Sequence, residues 1–400
     1  MQWHSGRMTM NHVIGSTLLA SLLLLPAGAH AQKKDQRYHP PRPRISPPQD
    51  SNFAGSYFLL GMARLSQSPE DAAAAFHWAR RLDPSLADAF YSERIARHLS
   101  DTRQLEAYLF RPRSVMRRKE ILEIDSLQIE ALIRNPMLNP RLDRAMLELF
   151  LDNATGQANR IDWDRADPGR AAWLAMSNGR YDQAADYYRK ALKGNKSAYG
   201  YNLDRALAFY LNMQPDSSLA ALYAYIEARN KDEKQEVIFV YQSKALTEYT
   251  IGWVYDRLGK PDKAKEAYGR ALAEDLSFAM AHSALGDLAR AAGDTATSLQ
   301  EYDLAVQLRG QDPFLRLHYG NALFAAGRPM DAAVQFEQAV ELEPYYALPW
   351  FALARASDRL GRKARAIEAY QGFLLRAHGG LRADLKIANE RLLALKAGGP

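Results

Sequence analysis

The chain has 400 residues, of which 47% are apolar and 24% are charged, and its formal net charge is +6. This is the composition of an ordinary folded protein, and so modest a basic excess gives no reason to expect nucleic acid as the partner. The sequence contains no cysteine, which excludes disulfides, thiol nucleophiles, thiolate metal sites and a lipid attached to cysteine.

Residues 1–31 have the pattern of a secretory signal peptide. Arg7 supplies a short positive region, an apolar run extends over 13–25, and the segment 29–31 (Ala-His-Ala) is a small-residue cleavage pattern. The apolar run is shorter than the roughly 20 residues that a helix needs to cross a bilayer. We therefore expect cleavage after Ala31 and export to the periplasm or out of the cell. The style of the leader favours a bacterial source.

Residues 32–52 are basic and rich in proline. Proline lacks the backbone N–H that a helix requires, so this stretch favours an extended conformation. We interpret it as a disordered linker. The alternatives are a ligand for a proline-recognising groove and a basic stretch that contacts an anionic envelope surface.

Residues 53–165 begin with a degenerate repeat of a helix pair. Gly61, Ala72 and Phe76 carry its small and aromatic positions, and an apolar helical pattern continues over 86–99. We expect this part to extend the more regular array that follows it in the chain.

The stretch 101–165 departs from that pattern. It contains prolines at 112, 136 and 140, each of which breaks or begins a helix. Strongly apolar segments between them predict buried helices, which are either an insertion or highly diverged repeats. A basic cluster at 111–119 indicates a solvated helix face, with a site for an anionic partner as the alternative.

Residues 166–232 return to a helix-pair pattern. Gly179, Ala184 and Tyr188 have the same order of small and aromatic residues, and a weaker pair follows over 199–229. We interpret this region as diverged repeats, separated by a charged link from the regular array that follows.

A regular array covers 240–380, where several columns repeat every 34 residues. The first column of small residues is Gly252, Gly286, Gly320 and Ala354. The turn column is Gly259, Gly293, Gly327 and Gly361. The second column of small residues is Ala264, Ser298, Ala332 and Ala366. The aromatic column is Tyr268, Tyr302, Phe336 and Tyr370. A period held in independent columns indicates a structural repeat.

Each unit splits into two helical halves. In the first unit, apolar residues spaced by three and four predict helices over 246–258 and 262–274. Gly259 suits the left-handed turn between them, and we expect Asp262 to cap the second helix. Small residues let the two helices approach closely, and the aromatic column fills the space beside that contact. One pair cannot bury its apolar face alone, so the units must stack.

This pattern resembles the tetratricopeptide repeat. Ala271, Ala305 and Pro344 match further family positions, whereas Phe373 stands where the family has alanine and Trp350 alone matches the family's tryptophan. The resemblance implies an all-α solenoid of stacked helix-turn-helix repeats. Residues 381–400 then read as a C-terminal capping helix and tail, because the last repeat needs a helix with a polar outer side.

The resemblance also implies that the first helices line a concave surface that binds a protein or a peptide. Aromatic rings beside arginine suit an extended peptide. Among the residues at the family's concave positions, those expected to bind a peptide are Tyr249, Trp253, Arg257, Asp287, Arg290, Asn321, Phe324, Phe351 and Arg355. Family members that grip a C-terminal carboxylate have lysine and asparagine where Tyr249 and Trp253 stand, so that clamp is not reproduced.

We therefore expect an exported scaffold for protein or peptide binding in the cell envelope, and not an enzyme. The sequence shows no catalytic, cofactor-binding or metal-binding motif that we would defend. The one alternative to this absence is a metal site shared by His282 and His318. Two alternatives remain: a purely structural subunit of an envelope assembly, or an enzyme whose active site lies in 101–165. The acids for the second alternative would be Glu120, Glu123, Asp125 and Glu130.

Overall fold

The computed structural model describes residues 38–100, 118–138, 167–195, 198–235 and 243–398. Within these ranges the chain forms seventeen helices and no strand, which confirms the predicted all-α fold. The predicted signal peptide over 1–31 lies outside the described residues, as do 111–117 of the basic cluster and the chain end at 399–400.

The helices are numbered in chain order and fall into four groups. The N-terminal group is α1 (Ala54–Arg64), α2 (Pro69–Leu82), α3 (Ala87–Ser100) and α4 (Arg118–Arg134). The diverged pairs are α5 (Pro168–Ser177), α6 (Tyr181–Gly194), α7 (Tyr201–Leu211) and α8 (Pro215–Gln235). The regular array is α9 (Ala245–Arg257), α10 (Pro261–Glu274), α11 (Ala279–Ala291), α12 (Thr295–Leu308), α13 (Pro313–Ala325), α14 (Pro329–Leu342), α15 (Ala347–Arg359) and α16 (Lys363–Arg376). The terminal helix is α17 (Arg382–Ala397).

The array repeats at the predicted step. Its first helices begin 34 residues apart, at Ala245, Ala279, Pro313 and Ala347. Its second helices keep the same step and begin at Pro261, Thr295, Pro329 and Lys363. The helices expected over 246–258 and 262–274 match α9 and α10 to within one residue.

The first column of small residues packs against the aromatic column of the same unit. A Cβ added to Gly320 would lie 2.4 Å from the ring of Phe336, and one added to Gly286 would lie 3.0 Å from the ring of Tyr302. Both rings are 1% exposed. A side chain in this column would therefore displace a buried ring, which confirms that these glycines allow the two helices to approach closely.

The turns between paired helices need glycine because the backbone there is left-handed. The φ angles are between 65° and 79° at Gly259, Gly293, Gly327 and Gly361.

The prediction that Asp262 caps its helix is wrong. Lys260 is the N-cap residue of α10 and makes no side-chain cap bond, because Pro261 begins the helix and places Asp262 in the first turn. In the next unit the equivalent cap position holds Asp294, whose carboxylate accepts a hydrogen bond from the Thr297 N–H at 3.0 Å.

The diverged pairs α5–α8 extend the array upstream, as expected. The ring of Tyr188 in α6 packs on that of Tyr201 in α7, with 5.6 Å between the centroids. Leu222 of α8 shares one apolar cluster with Ile251 and Val254 of α9. The stack is therefore continuous between these described pairs and the regular array.

The N-terminal helices take a different course from the one expected. A Cβ added to Gly61 would lie 2.5 Å from the Phe76 ring, so α1 and α2 pack like a pair of the array. They do not, however, extend the stack upstream. Three groups of contacts place the described residues 50–100 and 118–134 across the loops that join successive units of the array.

The first group joins the start of the described chain to the end of the array. The Asn52 side chain donates to the Leu375 carbonyl at 2.9 Å, and the Gly379 N–H donates to the Asp50 carboxylate at 2.9 Å. Phe53 stacks on His378 with 4.9 Å between the ring centroids. The expected extension is therefore wrong for this part, because its polar and aromatic groups are used against the last loop.

The second group lies one loop further back. Arg81 of α2 holds Glu343 through two hydrogen bonds of 3.1 Å. Trp78 packs edge-on against Tyr345, with 4.8 Å between the centroids. The Arg42 guanidinium lies 5.1 Å from the Trp78 ring and 5.8 Å from the Tyr345 ring. Stacked cations and rings thus join the proline-rich segment, α2 and the array.

The third group fixes α4. Arg134 donates to Asp312 at 2.7 Å, and Arg309 donates to Glu130 at 2.7 Å. Arg134 and Asp312 are almost fully buried. Ile133 packs in the same apolar cluster as residues of α9 and α11. The N-terminal part therefore crosses the array from its last loop toward its first units.

The proline-rich segment differs from the expected disordered linker over its described part, 38–52. The Trp78 indole donates to the Pro40 carbonyl at 3.1 Å, and Arg42 donates to the Tyr57 hydroxyl at 2.8 Å. Tyr38 lies edge-on to His77, with 5.4 Å between the centroids. The segment contains neither helix nor strand, and its aromatic and basic side chains bind it to α1 and α2.

Glu93 forms a fully buried polar centre beneath this segment. Its carboxylate pairs with Arg80 and lies 3.3 Å from His77 Nδ1. Burial alone would raise the pKa of Glu93, but the charge of Arg80 and hydrogen bonding to His77 and Arg80 lower that pKa to about 2. The ionised carboxylate therefore stabilises the fold at pH values above 4.5, which is the ordinary pKa of the group. This stabilisation is lost as the pH falls toward 2.

We expect Glu93→Gln to destabilise the protein at pH 7, with a loss that shrinks as the pH is lowered from 5 to 3, because Glu93 of the unfolded chain then takes up a proton while the folded chain keeps the carboxylate ionised. Thermal unfolding followed by circular dichroism at each pH measures this difference. The exposed Glu341→Gln serves as a control and should melt like the natural chain at pH 7. A loss for Glu93→Gln that stays constant over this pH range would show that the charge is not the cause.

Candidate functional site

A groove lies between α13 and α15, the first helices of the last two units, beside α17. Its cavity has a volume of about 210 Å³. We call this site the groove. It is lined by Leu317, Asn321, Phe324, Phe336, Leu348, Phe351, Ala352, Arg355 and Asp384.

The groove has an apolar floor and a polar rim. Leu317, Phe336 and Phe351 are buried at its base, whereas Asn321 and Arg355 are exposed. An apolar floor can bury a side chain of a ligand, and the amide and guanidinium at the rim can bind its polar groups. Four of the nine predicted site residues line this cavity: Asn321, Phe324, Phe351 and Arg355.

Two arginines of α15, Arg355 at the rim and Arg359 beside it, stack on aromatic rings of the groove. The guanidinium of Arg355 lies 5.3 Å from the centroid of Phe324 and 5.8 Å from that of Phe351. Arg359, one turn along α15, lies 5.5 Å from the centroid of Phe324. Stacking on a ring orients a guanidinium and leaves its N–H groups able to donate at the edge of the plane.

The helix α17 forms one side of the groove. Arg391 of α17 donates to both oxygens of Asp358 on α15, at 2.8 and 2.9 Å. Ala388 and Leu392 are buried under the same helix. This docking places Asp384 at the groove. It also pairs Asp358, a carboxylate close to Arg355 and Arg359 in the chain, with Arg391.

Tyr249 lies elsewhere and does not reach the groove. It is buried, and its hydroxyl donates to the Ile133 carbonyl of α4 at 3.0 Å. Burial raises the pKa of its phenol. The position that the family resemblance assigns to a ligand is thus covered by a helix of the same chain.

Trp253 and Arg257 form a second stack at the upstream end of the array. The Arg257 guanidinium lies 3.9 Å above the Trp253 ring, and Tyr210 of α7 packs on the same ring at 5.6 Å between centroids. Trp253 is half-buried by these neighbours and Arg257 is exposed.

Asp287 and Arg290 bind each other on α11. Asp287 accepts hydrogen bonds from Arg290 at 3.0 Å and from the Tyr302 hydroxyl at 2.6 Å. Burial would raise the pKa of Asp287, but hydrogen bonding and charge from His318, with the hydrogen bonds from Tyr302 and Arg290, lower that pKa. Asp287 and Arg290 therefore have hydrogen-bond partners within the array.

The other residues considered for metal binding or catalysis do not come together in one site. His282 contacts Glu301 at 2.7 Å, whereas His318 stacks on Phe314 with 4.2 Å between the centroids. No group of three or more possible metal ligands occurs within the described part of the chain. Of the acids considered for catalysis in 101–165, Glu130 is held by Arg309 and Arg134, and the side chains of Glu120, Glu123 and Asp125 lie outside the description.

Five of the nine residues that line the groove are not among the nine predicted site residues: Leu317, Phe336, Leu348, Ala352 and Asp384. Phe336 was assigned only to packing within its unit, although its ring also forms part of the floor. Ala352 carries no chemical signal of its own. Asp384 comes from a helix that was read as a cap, and only the docking of α17 brings it to the groove.

A family model described as "Tetratricopeptide repeat" matches the chain at 170–233, 249–313 and 320–380. The chain is a tetratricopeptide-repeat protein. Proteins of this family bind protein or peptide partners. The matched ranges cover the diverged pairs and the regular array, so both regions expected to be repeats belong to this family.

Solved structures of tetratricopeptide-repeat proteins are similar to the chain at low sequence identity. One is the C-terminal part of such a protein from Cytophaga hutchinsonii, with 19% identity, coverage of 57% of this chain and 88% of that one, and a TM-score of 0.46. Another is YrrB, titled "a TPR protein with an unusual peptide-binding site", with 19% identity, coverage of 52% and 99%, and a TM-score of 0.41.

A third is PilW, titled a "widely conserved type IV pilus biogenesis factor", with 17% identity, coverage of 55% of this chain and 96% of that one, and a TM-score of 0.42. No curated protein matches the chain. Among the residues that the structure describes, no helix is long and apolar enough to cross a membrane.

Proposed function

We propose that this tetratricopeptide-repeat protein is an exported, non-catalytic scaffold that binds a peptide segment of a partner protein in the groove. The observation that carries the proposal is the clustering of Asn321, Phe324, Phe351 and Arg355 around one cavity with an apolar floor and an exposed polar rim. Buried aromatic and arginine positions dominate the affinity of most protein interfaces.

The arrangement of the array favours the groove over the other predicted positions. Tyr249 is covered by α4, and Asp287 and Arg290 bind each other. The groove, by contrast, keeps Asn321 and Arg355 exposed above apolar side chains. An extended peptide can then bury one side chain in the cavity and donate or accept hydrogen bonds along the rim.

Site-specific cross-linking tests this proposal. With a photoreactive phenylalanine analogue at position 321, we expect a discrete cross-linked partner in envelope preparations. We expect that adduct to disappear when Arg355→Ala is added. The same analogue at position 328 is the control, because Arg328 is exposed at the start of α14 and does not line the groove. Identical adducts from positions 321 and 328, or none from either, would contradict a groove ligand.

Export is tested through the N-terminus of the protein. We expect the natural chain from an envelope fraction to begin at Gln32, because the small-residue pattern ends at Ala31. Cleavage there leaves every described contact of Tyr38 and Arg42 in place, since both follow the cleaved bond. Ala31→Arg should block processing, since the cleavage pattern requires a small residue. A natural chain that keeps its leader and stays in the cytoplasm would contradict the export proposal.

A further inference from the structure

We infer that the groove selects an acidic peptide segment, in which an apolar side chain enters the cavity and two neighbouring carboxylates bind Arg355 and Arg359. This inference rests on the proposed function and adds the chemical class of the ligand. It depends on the charges at the rim, on their partners and on the shape of the floor.

The first step concerns the two guanidinium groups. Arg355 and Arg359 are exposed and stand one helical turn apart on α15, and both stack on Phe324. Neither forms a salt bridge with a carboxylate among the described residues. Two positive charges, Arg355 at the rim and Arg359 beside it, are thus oriented by one ring, and a ligand can supply the carboxylate partner of each.

The second step concerns the acids nearby. Asp358 lies between the two arginines in the chain, but both of its oxygens accept from Arg391. Arg365 of the same unit binds Glu337 and Glu368. Asp358 and Glu368, the two carboxylates of this unit, are therefore already paired with Arg391 and Arg365.

The third step concerns the number of charges. Side chains four residues apart on a helix are neighbours but point to separate spots on its surface. Two acidic side chains of a ligand can satisfy both guanidinium groups, whereas the α-carboxylate of a chain terminus by itself can satisfy only one. The geometry therefore favours an internal acidic segment over a free C-terminus, which agrees with the missing lysine and asparagine of the family's carboxylate clamp.

The fourth step concerns the floor and Asp384. The cavity of about 210 Å³ is lined mainly by apolar side chains and has room for an apolar side chain of the ligand. Asp384 also lines it, and its negative charge disfavours further acids on the α17 side. The ligand is thus acidic beside α15 and apolar at the cavity.

Fluorescence anisotropy on the full exported chain tests this inference with blocked synthetic peptides. The probe is an acetylated and amidated octapeptide with a leucine next to two glutamates, and its matched control has glutamines in place of the glutamates. We expect the glutamate peptide to bind roughly tenfold more tightly, because hydrogen bonds to charged groups are the stronger kind. This advantage should fall as salt is added, because the rim is exposed.

Variants assign the preference to the rim. Arg355→Gln with Arg359→Gln should remove the advantage of the glutamate peptide and leave the glutamine peptide unchanged. Arg328→Gln, the matched control at the N-cap of α14, should keep the advantage. Arg355→Glu should shift the preference toward a peptide with lysines in place of the glutamates. Because all three arginines are exposed, melts of these variants should match the natural chain.

Each contrary result has a distinct meaning. Equal binding of the glutamate and glutamine peptides overturns the acidic preference but leaves a groove ligand possible. Tighter binding of a neutral peptide with a free C-terminus overturns it in favour of a chain end. No binding by any peptide also overturns it, and the cross-link from position 321 then decides separately whether the groove has a protein ligand at all.

Discussion

Gly320→Leu is expected to destabilise the protein by at least about 1–3 kcal/mol, the usual cost of overpacking a core. Even a Cβ at this position would lie 2.4 Å from the ring of Phe336, which is 1% exposed and so has little room to move. Thermal or urea unfolding followed by circular dichroism measures the loss. We expect Gly286→Leu to be milder, because a Cβ there lies 3.0 Å from Tyr302.

The control for this prediction is another helical glycine. Gly269 in α10 has nothing within 4 Å of an added Cβ, so Gly269→Ala should be neutral or stabilise by up to about 1 kcal/mol through helix propensity. If Gly320→Leu melted like the natural chain while Gly269→Ala behaved as expected, close packing would not explain the glycine column. In that case the repeat pattern would need another physical cause.

Arg134→Met is expected to cost about 3–5 kcal/mol, the range for removing one member of a buried ion pair. Asp312, 3% exposed in its side chain, would lose its partner at 2.7 Å and retain only the more distant Arg309 at 3.7 Å. The stability of α4 on the array should fall most. Hydrogen exchange resolved by segment measures this directly, because repeat proteins do not always unfold in one step.

Two further variants separate the buried charge from the loss of side-chain packing. Arg134→Met with Asp312→Asn should recover part of the loss, because asparagine can still cap α13 and no unpaired charge remains. Arg189→Met removes an exposed pair with Asp186 and should cost less than about 1 kcal/mol. If the single and double variants lost equal stability, packing of the Arg134 stem would be the cause instead.

These contacts matter for the proposed function because they limit where a ligand can bind. The helix α4 covers Tyr249, while the groove of the last two units stays open. A variant that releases α4 would expose apolar surface around Tyr249 and could create a second binding surface. Peptide affinity of the groove should be unchanged by Arg134→Met, since Arg134 and the groove share no residue.

What the sequence determined by itself is the repeating unit. The helices of the array, their 34-residue step, the left-handed turn glycines and the packing of Gly320 against Phe336 were all predicted. These features depend on groups a few residues apart or on neighbouring helices of one unit. Each therefore leaves a periodic trace in the residue order, and four columns that repeat together make the trace specific.

The tertiary structure alone decided how the N-terminal part is used. Asn52 meets Leu375 across 323 residues, Arg81 meets Glu343 across 262, and Arg134 meets Asp312 across 178. Each contact is made once, so it has no period and no column in the sequence.

The same limit applies to the groove. The family positions identified Asn321, Phe324, Phe351 and Arg355, but Asp384 and the covering of Tyr249 required the path of the whole chain. Local periodicity fixes what each unit looks like. Contacts between distant segments, which depend on where the stacked units carry them, determine which surfaces remain open to a partner.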